Sequence, residues 1–309
     1  MSVTYENIGG FGNKLRISNG IVNVDVSTDF GPNILNFSFV GKEGFFFNDE
    51  EMKLKNTNPD LEKMYGIKGA FWDNYGGHRL WESPERKVRT VIPTNEKVEV
   101  EKTPMGAIFK TNPMPWVNTQ HETEVVLREG KAEVEIYHRI TNRNAWAIEL
   151  APWAITVMKH GGLEVMPVPK EQTGLLPNTA ISLWPYTKLN DKRYYFGENY
   201  IMLKPDSNAP KSTKIGIMQK EGKAYYFINN MLFEKQFAFE ADKTYPDFGM
   251  NFETYTDKTI LECETVAPLT KIDCGETACH SEVWKLYDNV EMPEMGDEEK
   301  TEKILSSLK

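Results

Sequence analysis

The chain has 309 residues, 40% hydrophobic and 26% charged, and a net charge of −9. That length buries a substantial core and allows one large all-β domain or two ordinary domains. An acidic chain is poorly suited to phosphate backbones, anionic membrane surfaces and highly anionic substrates, which leaves a neutral small molecule as the best-fitting partner.

Residues 1–7 show no basic stretch followed by an apolar run, the pattern of a secretory signal. No window approaches the roughly 20 apolar residues that span a bilayer. The cysteines, Cys263, Cys274 and Cys279, are odd in number and contain no CxxC pair. The expectation is a cytoplasmic protein with reduced thiols, buried or semi-buried. Gly9-Gly10-Phe11-Gly12 is followed by no helical pattern, so it does not read as a phosphate loop.

Short alternating segments then dominate. Val22, Val24 and Val26 share a strand face, as do Leu35, Phe37 and Phe39 opposite Ile34 and Asn36. Pro59–Tyr65 has room for one short stretch of helix. Val134, Ile136, His138 and Ile140 form a further row, with Glu133, Glu135, Tyr137 and Arg139 opposite. Strand-rich composition recurs at 181–184, 200–203, 214–219, 224–229, 231–239, 250–255, 260–266 and 277–286. Glu129-Gly130-Lys131 and Glu221-Gly222-Lys223 read as tight hairpin turns. Asp297 caps a terminal helix through Ile304 and Leu308, docked by its apolar face. The pattern predicts an all-β antiparallel domain over 1–290, in two packed sheets, and a tail over 291–309 with a short helix.

Three segments carry chemistry. Gly76-Gly77-His78-Arg79-Leu80-Trp81-Glu82-Ser83-Pro84-Glu85, led in by Phe71-Trp72-Asp73-Asn74-Tyr75, mixes a base, a cation, carboxylates and indoles. Aromatic rings cover the C–H faces of a sugar, while Asp73, Asn74, Arg79 and His78 suit its hydroxyls. Arg79 could alternatively pair with Glu82 or Glu85. In the second segment, a strand ends at Asn142-Arg143-Asn144 and the next carries Trp153. In the third, Glu262 and Glu264 leave one strand face roughly 7 Å apart, where each would raise the other's pKa if enclosed. Of the remaining groups, His138 reads as a core histidine and His121 as surface. His160 is a turn residue that could reach the site, and His280, Glu282 and Trp284 share a strand face that could reach the ligand but reads better as an edge or rim. No His-x-His or Glu-x-x-His cluster calls for a metal, and no cofactor is implied.

In order, GGHRLWESPE, TNRNAWAIELAPWAITV, NFETYTDKTILECETVAPL and HSEVWKL resemble the galactose mutarotase-like (aldose 1-epimerase-like) superfamily, over about residues 15–287. The resemblance implies a β-supersandwich with a sugar or oligosaccharide cleft on a concave sheet. It also implies a mutarotase-type acid/base pair, with Glu264 or Glu262 as base and His78 as acid. Arg79 would clamp hydroxyls, and Trp81, Asp73, Asn74 and His160 would line the cleft. Where the family's general-acid His falls, this chain has Trp153, which suits stacking on a pyranose and cannot donate a proton. The sequence therefore leaves two readings open, an isomerase depending on His78 or a carbohydrate-binding protein using the same cleft. Glycoside cleavage would need a partner such as Asp73 or Glu82 facing Glu262 and Glu264.

Overall fold

Alternating burial governs the strands: Thr119–Leu127 and Glu133–Asn142 bury every second residue, the signature of a sheet with one face against a core. The computed structural model describes residues 1–7, 11–56, 59–66, 68–86 and 89–308. Gly9 and Gly10 of the early glycine-rich stretch lie outside them.

Two large antiparallel sheets form the body. The first runs Ser2–Asn7, Asn13–Ser18, Val22–Ser27, Ile34–Phe39, His78–Ser83, Ile148–Met158, Leu261–Val266, Phe252–Thr256, Thr213–Ile217, Ile181–Leu183. Thr270–Ile272 adds an eleventh strand beside Ile148–Met158. The second runs Tyr194–Phe196, Tyr200–Leu203, Leu163–Pro167, Lys223–Ile228, Met231–Phe237, Thr277–Asp288, Glu133–Asn142, Thr119–Leu127, Gly106–Lys110, Glu99–Thr103. Lys55–Asn56 and Trp72–Asp73 make a small separate pair.

The inward faces meet in one continuous apolar cluster. It includes Val24, Phe37 and Cys263 of the first sheet and Phe109, Ile136 and Trp284 of the second. Trp284 is fully buried, edge-on to Phe46 at 5.6 Å and tilted against Phe37 at 6.1 Å. Removing a side chain of this size from a core costs about 3–5 kcal/mol.

Helix is sparse, at Pro59–Tyr65 and Glu298–Ser307 with a four-residue turn at Pro246–Gly249. Asp297 caps the terminal helix by accepting the Lys300 N–H at 3.0 Å. Ile304, Leu305 and Leu308 pack against a cluster containing Leu163, Tyr200 and Tyr225. The Gly130 turn joins two paired strands as expected. The Gly222 turn does not: its flanking strands belong to different sheets, so it carries the chain across the sandwich. Among the described residues no helix is long and apolar enough to cross a membrane.

Candidate functional site

Register decides which side chains can meet. Arg79 lies opposite Ile155, and Ile155 opposite Glu264; Trp81 lies opposite Trp153. Directly opposite residues share a sheet face. Arg79, Trp81, Trp153, Glu262 and Glu264 therefore leave the face of the first sheet turned away from the second. The preceding glycines are locked by close approach: Gly76 and Gly77 have φ of +84° and +64°. A Cβ on either would stand 2.1 Å from the Phe47 carbonyl oxygen or 2.3 Å from that of Ile34, so only glycine fits.

That outer face carries a cleft of about 350 Å³, lined by Trp72, Asn74, Arg79, Trp81, Trp153, Tyr186, Lys214, Tyr255 and Glu262, among others. Arg79 is part of that lining. It donates to Glu262 Oε1 at 2.8 Å and to Asn74 Oδ1 at 3.1 Å, and its guanidinium stands 4.4 Å from the Trp81 ring centre. The anticipated pairing of Arg79 with Glu82 or Glu85 does not form, because the strand places Glu82 on the opposite face. Glu262 keeps 12% of its side chain exposed.

Beneath lies a polar cluster with Lys214 at its centre. Lys214 Nζ is 2.7 Å from Glu253 and 2.8 Å from Glu264, and 4.6 and 4.7 Å from the ring centres of Trp153 and Trp184. Trp153 donates its indole N–H to Glu264 at 2.8 Å. Burial pushes the Glu264 carboxyl above the usual range, opposed by Lys214. Burial raises Glu253 as well, again opposed by Lys214. Burial also works against the Lys214 ammonium, but Glu264 and Glu253 outweigh it and hold its pKa high. Tyr255, on the same cleft, is pushed up to about 12 mainly by burial. Trp153 is only 4% exposed; with its N–H taken and Lys214 against its ring, it forms floor rather than an open stacking platform.

The remaining expected site residues disperse. Asn74 lines the cleft. Asp73 is buried behind Trp72 and Arg79, beside a small void; neither of its carboxylate oxygens has a hydrogen-bond partner among the described residues. Burial, then Asp49, raises its pKa to about 6. His160 follows the far end of the Trp153 strand and does not line the cleft. The His78 expectation is corrected: one residue before Arg79, it faces into the sandwich, and its ring stands 4.7 Å from that of Trp284. It cannot act as an acid opposite Glu264, because the sheet lies between them.

His78 belongs instead to a polar layer between the sheets. Its Nδ1 is 2.7 Å from Thr156 Oγ1 and its Nε2 is 2.9 Å from His138 Nε2, so one ring donates an N–H to the other. Lys235 donates to Thr156 at 2.6 Å and pairs with Glu282 at 3.1 Å; Trp284 donates to Glu282 at 2.8 Å. Thr265 joins His280 to this network. Burial holds His78 well below its ordinary range, His138 at about 3 and His280 at about 4. Nearby, Glu164 accepts from Cys263 and Thr254, each at 2.6 Å, and burial raises it to about 8. His280 and Glu282 are thus interior, not rim, because their strand is central to the second sheet. His121 is likewise buried, 3.1 Å from Glu82, because the inward row of its strand is Thr119, His121 and Thr123. His78, His138 and Glu282 bring three ligand-type atoms within 4.8 Å of one another. The Lys235 ammonium already balances Glu282, so a divalent cation there would leave excess buried positive charge. Of the cysteines, Cys263 is buried, but Cys274 and Cys279 are exposed free thiols, contrary to the expectation of burial.

No protein-family model matches the chain, and no curated protein matches it in sequence. Solved structures do match. A galactose mutarotase-like protein from Lactobacillus casei aligns over 89% of this chain and 100% of its own, with a TM-score of 0.53 at 9% identity. The chain has the galactose mutarotase-like fold. The Slr1438 protein of Synechocystis matches over 92% of this chain and 95% of its own, with a TM-score of 0.56 at 10% identity. A TPR-domain containing protein from Parabacteroides distasonis gives 0.59 at 11% identity, and this chain spans 49% of that one. At such identities the likeness is of fold alone.

On the galactose mutarotase-like fold of this chain, sequence reasoning missed Lys214, Glu253, Trp184, Tyr186 and Tyr255. Lys214 is the second residue of a strand whose five residues are all buried, and a lysine in that position signals a paired charge. Trp184 and Tyr186 sit in a loop and carry no such mark.

Proposed function

We propose that this chain binds a neutral sugar in the outer cleft. The observation that carries the reading is Arg79, held by Glu262 and Asn74 against the indole of Trp81 in the lining of the cleft. A guanidinium, a carboxylate and an amide beside aromatic carbon is the mixture that hydroxyls and C–H faces require. The name of the Lactobacillus protein that shares the fold points to the same class of ligand. Titration calorimetry against a panel of aldoses tests it, with Arg79→Ala and Trp81→Ala as variants. Heat from at least one sugar, lost in the variants, is the expected result; no binding by the parent, or unchanged binding in both variants, overturns it.

The isomerase reading keeps one supporting observation. Arg79 engages Oε1 of Glu262, and Oε2 has no protein partner among the described residues. Glu262 could then take the anomeric proton, with the phenol of Tyr255 as the donor lining the same cleft. NMR exchange between anomers of freshly dissolved aldoses measures this directly. Rates no faster than buffer leave binding alone.

A further inference from the structure

Six side chains form an unbroken ribbon, five of them lining the cleft and the sixth, Trp184, extending it beyond. Trp72 stands 5.8 Å from Arg79, Arg79 4.4 Å from Trp81, and Trp81 5.5 Å from Trp153. Trp153 then stands 4.6 Å from Lys214, and Lys214 4.7 Å from Trp184. Trp81, Trp153, Glu262, Tyr255 and Lys214 lie on five consecutive strands of the sheet. Four interstrand gaps of about 4.8 Å give a track of roughly 19 Å. One sugar unit of an extended glycan is about as long as one such gap, so a single ring would cover only part of it.

The charges along the ribbon are already matched. Arg79 is paired with Glu262, and Lys214 with Glu253 and Glu264. A phosphorylated or acidic sugar would have to break a buried or half-buried ion pair to find a cation, at a cost that a neutral glycan avoids. At the end remote from Arg79, Tyr186 leaves the loop after Ile181–Leu183 with 41% of its surface exposed, against the same cleft. A half-exposed ring beside a cleft is a ready platform for a second sugar.

We infer that the cleft takes a neutral oligosaccharide of at least two rings, the first at Arg79 and the second at Tyr186. This rests on the sugar-binding reading above and goes beyond it in the length of the ligand and in the placing of a second ring. The test is titration calorimetry with glucose, galactose, their common disaccharides and trisaccharides, and glucose 6-phosphate, on the whole chain. For the series that binds, the disaccharide is expected to bind at least tenfold tighter than its monosaccharide. Tyr186→Ala should lower disaccharide affinity about tenfold and erase that gap, with Tyr186→Phe restoring most of it. A disaccharide no tighter than its monosaccharide, or a sugar phosphate tighter than the neutral sugar, overturns the inference while leaving sugar binding intact. Absence of binding across the whole panel overturns both.

Discussion

Trp153 and Lys214 converge on one oxygen of Glu264, each at 2.8 Å, and the second oxygen of that buried carboxyl has no partner among the described residues. The indole thus helps hold the acid group of the cleft floor in place. Trp153→Phe keeps the ring and removes the donor. Leaving a buried acceptor short of a partner costs about 1–3 kcal/mol, so urea unfolding should show a loss of that size with an unchanged slope.

Arg79 joins Glu262, Asn74 and Trp81 in one arrangement. Arg79→Ala should weaken sugar binding at least tenfold in calorimetry. Arg79→Lys should not restore it, since an ammonium cannot reproduce the planar fork that reaches two acceptors while lying on an indole. Full affinity in either variant would remove Arg79 from the site.

The interior histidines make stability depend on pH. Burial lowers His138 from 6.5 to about 3, so between those values the unfolded chain binds a proton that the folded chain refuses. Its contribution is fully present above about pH 6.5 and is lost as pH falls toward 3, with a slope of at most about 1.4 kcal/mol per pH unit. His138→Gln should therefore lose stability less steeply than the parent between pH 6.5 and 4 in urea titrations. Glu164 runs the other way: burial raises it to about 8, so its contribution is present below about 4.5 and lost as pH rises through 8. Glu164→Gln should gain on the parent between pH 5 and 8.

Lys235 and Glu282 are an ion pair with no exposed surface. Lys235→Met leaves Glu282 charged and short of a partner, a loss of about 3–5 kcal/mol. Adding Glu282→Gln to that variant should recover part of it. A double variant no more stable than the single one would mean that the pair is not the main partner of Glu282.

The thiols should react in two classes. Cys274 and Cys279 are exposed and Cys263 is buried with its S–H given to Glu164. A chromogenic disulfide reagent should label two thiols rapidly in the folded protein and the third only after denaturation; three fast thiols would contradict the burial of Cys263.

Much of the architecture was legible because period-two burial is a local property. The Val22–Val26 row, the Val134–Ile140 row and the shared face of Glu262 and Glu264 follow from alternation within one strand. The capped terminal helix was readable for the same reason. The Gly222 turn was misjudged because a glycine turn looks alike whether it joins paired strands or carries the chain between sheets. His121 and His280 were misplaced because polar residues on an inward row resemble an exposed row until the partners that satisfy them are known.

The sequence determined the mixture of base, cation, carboxylates and indoles in this segment, but not the strand over His78–Ser83 that puts Arg79 and Trp81 on one face and His78 and Glu82 on the other. It could not say which face looks into the sandwich. That was decided by pairing: Ile34 and Thr156 lie beside His78 in neighbouring strands, while Ile155 and Glu264 follow Arg79 across the sheet. Burying His78 among Thr156, His138 and Lys235 is tolerable because the network satisfies its ring nitrogens, whereas Arg79 finds its carboxylate, Glu262, 183 positions away. Contacts at that separation are set by strand order and register, which only the tertiary structure supplies.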